Sequence, residues 1–283
     1  MVRISDIDKS EDSSSQESPK EKPLSSDAGV VYNEAAAFVK GIFQRYSEKK
    51  ELDIIELCGF IGKAAGHIAS LDDKIMFLIS EAYAEEYLCY HTVNVTILAI
   101  KVGLALKYSS EQLVNLGALA LSHALTNAED EGYDIQDLER QKFIQKLIQA
   151  RRLKDGFVKE SLSIISVLDV YESLTHMRSY RQRFMPYEVL KAIILASEKV
   201  FNPGIVKKII EIFSIYPLGS FVRLNSEEVA QVIRINKDFP LRPQVDILTD
   251  SRGNRAKEKK AVDLSSQLNL YIKEPLIGLE PLP

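Results

Sequence analysis

The chain has 283 residues with a formal net charge of −4, and 46% of its residues are hydrophobic. This length and apolar content suffice for one large packed domain with an appendage. The acidic balance offers no basic surface for nucleic acid or for anionic lipid, so it excludes both classes of partner from our expectations.

The first 29 residues are rich in Ser, Asp, Glu, Lys and Pro and have little to bury, so we expect a disordered tail. The segment lacks the apolar stretch of a signal peptide, and Asn94 and Lys101 interrupt the longest apolar run further along. Cys58 and Cys89 lie in apolar helical contexts without a CxxC pair, which indicates buried thiols in a reducing compartment. We therefore expect a soluble cytoplasmic protein.

From Val30 to about Phe213, apolar residues recur at three- and four-residue spacings, which predicts helices. Residues 92–106 are apolar almost all round, so we expect them to form a central, buried helix. Ser109, Ser110 and Glu111 form a capping sequence for the next helix, which runs into His123. The predicted helices cover residues 31–49, 52–69, 71–90, 92–106, 110–123, a short charged stretch within 127–156, 157–177, 187–198 and 203–213.

After Tyr216 the apolar period changes from helical to alternating. Residues 220–224, 228–235 and 242–248 are predicted to be short strands, and residues 250–254 a turn. The sequence thus predicts an all-α protein, a helical bundle with a small β-rich C-terminal extension. Its parts are a tail at residues 1–29, a helical domain at 30–215 and the extension at 216–283.

Three polar residues stand out within apolar helices. His91 is expected at the start of its helix and His123 at the end of another, while Asp169 has Leu162 and Ile165 on its own face and should point inward. A buried carboxylate is costly unless it is paired or metal-bound. Two imidazoles and one carboxylate can form a metal-binding facial triad. Taken singly, each is also compatible with an ordinary core residue, with serines at positions 166 and 173 as partners for the aspartate.

Several segments carry a resemblance to a known family. They are YLCYHTVNVTILA at 87–99, LGALALSHA at 116–124, SIISVLDVYESLTHMRSYR at 163–181, YPLGSFVRL at 216–224 and FPLRPQV at 239–245. Together they resemble the HD-GYP domain, the bacterial HD-superfamily class of cyclic di-GMP phosphodiesterases, over roughly residues 30–275. The resemblance implies an HD-type helical bundle. It also implies that His91 and His123 match the first two histidine ligands of the family and Asp169 its last aspartate ligand.

The departures from this family concern the metal ligands. The family's HDxGK reads His-Ala-Leu-Thr-Asn from His123 to Asn127, so Ala124 replaces the carboxylate that bridges two ions. The chain has four histidines, and none lies between His123 and Asp169, where the family has further ligands. The GYD sequence at 132–134 lies too close to His123 to match the GYP motif, and we treat it as coincidence. Two-metal hydrolysis needs about three ligands per ion and a bridging carboxylate, so the resemblance implies that this mechanism is lost.

We therefore expect a catalytically degenerate signalling or protein-interaction module without catalytic residues. Its partner would be another signalling protein, and a homodimer is compatible with the sequence. His91, His123 and Asp169 would be a vestigial metal site that holds no cofactor, or at most one weakly bound Fe or Mn ion. One alternative is a weak metal-dependent phosphohydrolase that uses this ion. Another is a receptor that binds cyclic di-GMP through Arg178 and Arg181 without cutting it, unless these arginines pair with acidic neighbours such as Glu172.

Overall fold

The computed structural model describes residues 27–70, 79, 87–124, 137–176, 184–197, 199–236 and 238–276. Within these residues a helical bundle is followed by one antiparallel sheet, which is the fold class predicted from the sequence. The helices are α1 (Asp27–Ser47), α2 (Ile54–Ser70), α3 (Tyr87–Ala105), α4 (Ser110–Ala124), α5 (Asp137–Ala150), α6 (Asp155–Thr175), α7 (Pro186–Ala196) and α8 (Pro203–Phe213).

The helix boundaries differ from the expected ones at two places that matter. Helix α1 begins at Asp27, so residues 27–29, expected in the tail, are helical, and Ala28 is buried. Helix α3 begins at Tyr87, so the prediction that His91 starts its helix is wrong, and His91 lies in the second turn. The apolar run simply extends further toward the N-terminus than residue 92. Most of the helix predicted at 71–90 lies outside the described residues.

Helix α3 is the centre of the bundle, as its all-round apolar sequence predicts. It packs against α1, α2, α4, α6 and α8, and 14 of its 19 residues are buried. Among the described residues it is also the one helix whose length and hydropathy would allow it to cross a membrane. However, 78% of its most apolar stretch is buried inside the protein.

Helix α4 begins with the predicted cap and packs closely against its neighbours. Ser109 and Gln112 form a capping box, since the Gln112 amide donates to the Ser109 hydroxyl and the Ser109 amide donates to the Gln112 side chain. At Gly117 an added Cβ would lie 2.6 Å from Ile61 of α2. This glycine therefore permits the close approach of α2 and α4, and through them the fixed position of His123 at the end of α4.

The C-terminal sheet has the strand order β4-β3-β2-β1-β5, and all its neighbours are antiparallel. Strands β1 to β3 were predicted, whereas β4 and β5 were not. Asp250 and Gly253, which has a positive φ of 85°, form the predicted turn between β3 and β4. The strands are β1 (Phe221–Leu224), β2 (Val229–Arg234), β3 (Gln244–Thr249), β4 (Arg255–Asp263) and β5 (Ile272–Leu276).

The sheet has its own hydrophobic core, built from the alternating buried residues of its strands. It meets the bundle where Tyr187 of α7 stacks on Tyr216, with ring centroids 5.6 Å apart and planes inclined by 6°. Ser214 ends α8 with a positive φ of 65°, and its hydroxyl donates to the carbonyl of Pro240. The connection between bundle and sheet is therefore held by specific contacts.

Candidate functional site

The candidate site is centred on His91, which α3 places against α6. Its Nε2 donates to Oδ1 of Asp169 at 2.9 Å, and its Nδ1 donates to Oε2 of Glu172. Asp169 and Glu172 are three residues apart, so they lie on the same face of α6 and hold the imidazole between them. His91 and Glu172 are each only 1% exposed. A histidine between two carboxylates is therefore enclosed in the centre of the bundle.

The second oxygen of Glu172 extends this contact into a network of hydrogen bonds. Asn94, one turn after His91 on α3, donates to Oε1 of Glu172 at 2.8 Å. The side-chain oxygen Oδ1 of Asn94 accepts a hydrogen bond from the hydroxyl of Tyr32 on α1 at 2.6 Å. The Tyr87 hydroxyl also donates to Oε2 of Glu172, at 3.3 Å. The network thus joins α1, α3 and α6, and every polar atom that it buries around Glu172 has a partner.

The charges of this network stabilise one another. Burial lowers the pKa of His91, but the adjacent carboxylates of Glu172 and Asp169 outweigh it and raise the pKa to about 9. Burial raises the pKa of Glu172, but the His91 imidazolium, together with His176 and the Asn94 amide, outweighs it and lowers the pKa to about 2. At neutral pH the network therefore contains an imidazolium between two carboxylates, and both ring nitrogens of His91 carry protons.

Asp169 connects this network to His123 at a more open edge of the bundle. Its Oδ2 lies 3.7 Å from Nε2 of His123, and the two side chains are 24% and 31% exposed. Burial raises the pKa of Asp169, but hydrogen bonds to His123 and His91 lower it well below its usual range. The expectation that Leu162 and Asp169 share a buried face is wrong, since Leu162 is 42% exposed. Asp169 lies at the rim of the core, with histidines rather than serines as its partners.

The predicted triad is brought together, with a geometry that favours ion pairing. His91 and His123 contact different oxygens of Asp169, so the carboxylate lies directly between the two rings. Among the described residues, no three His, Cys, Asp or Glu side chains are arranged to hold a metal ion. An ion could bind these three side chains only after the hydrogen bond between His91 and Asp169 opens.

Of the other two histidines of the chain, His176 contacts this site, since its Nδ1 lies 3.3 Å from Oε1 of Glu172. His67 is exposed on α2. His176, just after α6, is buried, and it contacts the backbone carbonyl of Glu172 through Nδ1 and that of Ile79 through Nε2. Since the sequence contains four histidines, no further imidazole is available as a ligand. The residue after His123 is Ala124, which ends α4 and has no donor atom.

Two of the predicted elements fall where the structure gives no description. Arg178 and Arg181, the candidate phosphate contacts, lie outside the described residues, as does the GYD sequence at 132–134. Glu172, an acidic neighbour with which these arginines were expected to pair in the absence of a ligand, is buried and bonded to His91 and Asn94. Its role was missed, although its spacing of three residues from Asp169 was a usable signal. Asn94 has the same spacing from His91, in an otherwise apolar helix.

Comparisons with known proteins agree with this architecture. Residues 221–280, which include the whole sheet, match the family described as a KOW domain associated with HD domain. Over 291 aligned residues the chain is 19% identical to the cyclic di-GMP phosphodiesterase PA4108 of Pseudomonas aeruginosa. That alignment covers 90% of this chain and 69% of the relative. No solved structure matches the chain.

A second relative is the cyclic di-GMP phosphodiesterase PdeB of Borreliella burgdorferi, which is 24% identical over 227 residues. This alignment covers 67% of the chain and 60% of PdeB, so the chain spans less than two thirds of that relative. The resemblance inferred from the sequence motifs is thus confirmed: along most of its length the chain is similar to cyclic di-GMP phosphodiesterases of the HD-GYP type, and its sheet is similar to a domain that accompanies HD domains.

Proposed function

We propose that this chain is a catalytically degenerate HD-GYP-like module that acts in signalling by contacting a protein partner and does not hydrolyse cyclic di-GMP. The observation that carries the proposal is the pairing of both His91 nitrogens with carboxylates of the protein itself. A histidine ligand must offer a lone pair to the metal. In this network the imidazole instead serves as a buried hydrogen-bond donor, which is a structural role.

The supply of ligands supports the same proposal. Hydrolysis of a phosphodiester by two metals uses ions about 4 Å apart that share ligands and clamp the attacking and leaving oxygens. Ala124 offers no carboxylate beside His123, and the chain's remaining histidines are engaged elsewhere or exposed. Asp169 is left as a partner of two imidazoles. Its bonds to both of them need no metal to be satisfied.

A second candidate, residual activity with a single Fe or Mn ion, is favoured by one feature. Metal-bound histidines commonly donate their other ring nitrogen to a carboxylate, and Glu172 occupies that position relative to His91. His91, His123 and Asp169 would hold the ion. A bound ion would supply Lewis-acid activation of a phosphoryl oxygen and of water. The partly exposed edge formed by His123 and Asp169 is where a substrate would approach.

The experiment that separates these candidates combines metal analysis with chromatography of cyclic di-GMP after incubation with Fe(II) or Mn(II). We expect less than one bound metal per wild-type chain and no linear dinucleotide. Ala124→Asp should raise the metal content without producing turnover, because it adds one carboxylate beside His123. The matched control is Ala105→Asp, which adds the same group at the exposed end of α3. Turnover by the wild type that His123→Ala abolishes would refute the degenerate assignment.

The same experiment addresses the receptor alternative when titration calorimetry with cyclic di-GMP is added. We expect no heat of binding, whereas binding that is lost in Arg178→Ala together with Arg181→Ala would favour a receptor. We also propose a cytoplasmic location and a second signalling protein as the partner, without nucleic acid or membrane. The net charge of −4 supports this choice of partner, because it provides no general attraction for polyanions.

A further inference from the structure

A cavity of about 360 Å³ lies where the end of the bundle meets the sheet. One wall is formed by Tyr171, Thr175 and His176 at the end of α6, and the opposite wall by residues 215–221, which lead into β1. Pockets for small molecules occupy about 300–1,000 Å³, so the cavity is large enough for a ligand. His91, His123, Asp169 and Glu172 do not line it, so the cavity lies beside the site described above and meets it at His176, which contacts Glu172.

The lining of the cavity selects the chemical class of its ligand. The described residues that line it are mostly aromatic and aliphatic, and none of them is Lys, Arg, Asp or Glu. The imidazole of His176 also lines it, but both of its ring nitrogens already contact backbone carbonyls of the protein. A charged ligand, including a phosphate group, would therefore lose its hydration without gaining a counterion. The cavity favours an uncharged molecule with a largely apolar body.

Two tyrosines give the cavity hydrogen-bonding groups that the protein does not use. Tyr171 and Tyr216 are only 7% and 8% exposed. Within the described part of the chain neither hydroxyl has a hydrogen-bond partner, although both residues line the cavity. Burial alone raises the pKa of Tyr171, in agreement with a hydroxyl that nothing in the protein stabilises. The two hydroxyls open into the cavity, where a ligand or water can pair with them.

The same tyrosines present flat surfaces. Tyr171 stacks on Phe213 at 6.1 Å with planes inclined by 17°, and Tyr216 stacks on Tyr187 at 5.6 Å with planes inclined by 6°. All four rings line the cavity. Parallel pairs of rings offer broad apolar faces against which a planar molecule can pack in an offset stack.

We propose that this cavity is a binding site for an uncharged small molecule with a flat apolar body and hydrogen-bonding groups that pair with the Tyr171 and Tyr216 hydroxyls. The site does not depend on metal or on phosphodiester chemistry. The tyrosine hydroxyls would orient the ligand, and the stacked rings would supply most of the buried contact.

The first test uses N-phenyl-1-naphthylamine, a neutral probe that fluoresces in apolar surroundings, with the full chain. We expect saturable binding of one probe per chain. The matched probe is 8-anilino-1-naphthalenesulfonate, which has the same aromatic body and a sulfonate charge. Its affinity should be weaker by roughly tenfold or more, because the cavity offers no counterion for the buried charge. Equal affinity for the two probes, or no saturable binding, would overturn the proposal.

Variants then locate the probe. Tyr171→Phe keeps the ring stack and removes the hydroxyl, so it should weaken binding by about 2–10-fold. Tyr271→Phe, at an exposed position, should have no effect. Ser220→Phe, which places a ring at the cavity wall, should abolish binding, and Ser251→Phe in an exposed turn is its control. If Ser220→Phe does not fold, the hydroxyl variant still decides the matter.

Two outcomes would contradict the proposal at this stage. Unchanged binding in both Tyr171→Phe and Ser220→Phe would place the probe elsewhere on the protein. Binding that appears only after removal of residues 277–283 would show that the chain itself fills the cavity. Failure of the phosphodiesterase experiment would leave these results unaffected, since the probes carry no phosphate and the variants lie outside the histidine–carboxylate network.

Discussion

The bundle and the sheet bury their polar groups in opposite ways. From residue 221 to residue 276, Thr249 is the one described polar side chain that is buried, and the core of the sheet is otherwise built from alternating apolar residues. The bundle instead buries His91, Asn94 and Glu172 at its centre, each about 1% exposed. The interior of the sheet is built almost entirely from apolar side chains, apart from one enclosed carboxylate oxygen of Asp246, whereas the interior of the bundle is organised around an ion pair.

The sheet and the bundle are therefore stabilised by different interactions. In the sheet each buried side chain contributes in proportion to the apolar surface that it removes from water. In the bundle the contribution of Glu172 depends on His91, because a buried charge without its partner is far more costly than the intact pair. The network fixes α1, α3 and α6 relative to one another through directional bonds. Its loss should therefore act on all three helices together.

The largest expected effect comes from removing one member of the buried pair. Glu172→Ala leaves the His91 imidazolium and the Asn94 amide without their main acceptor, so the free energy of unfolding should fall by about 3–5 kcal/mol. Val222→Ala in the fully buried core of the sheet should lower it by only roughly 2 kcal/mol. Urea unfolding followed by circular dichroism measures both. Equal losses would remove the distinction between the two regions.

The second effect is a dependence of stability on pH that only the bundle should show. The pKa of His91 is raised from 6.5 to about 9 in the folded protein. Its contribution is fully present below pH 6.5 and is lost as the pH rises through about 9. We expect the melting temperature to fall across this interval and to fall less in His91→Gln. If both proteins have the same pH profile, the imidazolium does not stabilise the fold.

The smallest expected effects on the free energy of unfolding come from replacing glycines by alanine. These changes compare the backbone of the bundle with that of the sheet. Gly117→Ala would force a Cβ to 2.6 Å from Ile61, so it should cost about 1–3 kcal/mol through overpacking. Gly253→Ala in the sheet meets no neighbour but has a φ of 85°, which should cost about 1 kcal/mol. Gly59→Ala on α2 is the control, and it should gain about 0.5–1 kcal/mol. A neutral Gly117→Ala would mean that α2 and α4 can separate without cost.

The fold was predictable wherever an apolar period was strong. Residues 203–213 were predicted with the observed bounds of α8, and the alternation in β1 to β3 was recognised. The two missed strands are the two edges of the sheet. Strand β4 contains the run Lys257-Glu-Lys-Lys260, and β5 contains Pro275, so neither shows the apolar alternation of a central strand.

The sequence indicated several residues of the site but only some of the hydrogen bonds between them. The apolar context marked His91, His123 and Asp169 as unusual positions, and the resemblance to a known family implied that the three would meet. The spacing of residues along each helix did not reveal that Glu172 would reach His91, because a glutamate near arginines at 178 and 181 is most simply assigned to a surface ion pair. Which face of α6 meets α3 depends on the packing of the whole bundle. The spacing of apolar residues along α6 does not contain that information.

The edges of the sheet restrict how a protein partner can be recognised. Many domains bind extended peptides by adding a strand to an exposed sheet edge, where backbone N–H and C=O groups are free. Here Pro275 removes a donor from one edge, and the charges of β4 oppose pairing along the other. Recognition by strand addition is therefore disfavoured on both sides. For the protein partner proposed above, the two edges favour docking through side chains on a helical surface over a peptide that extends the sheet.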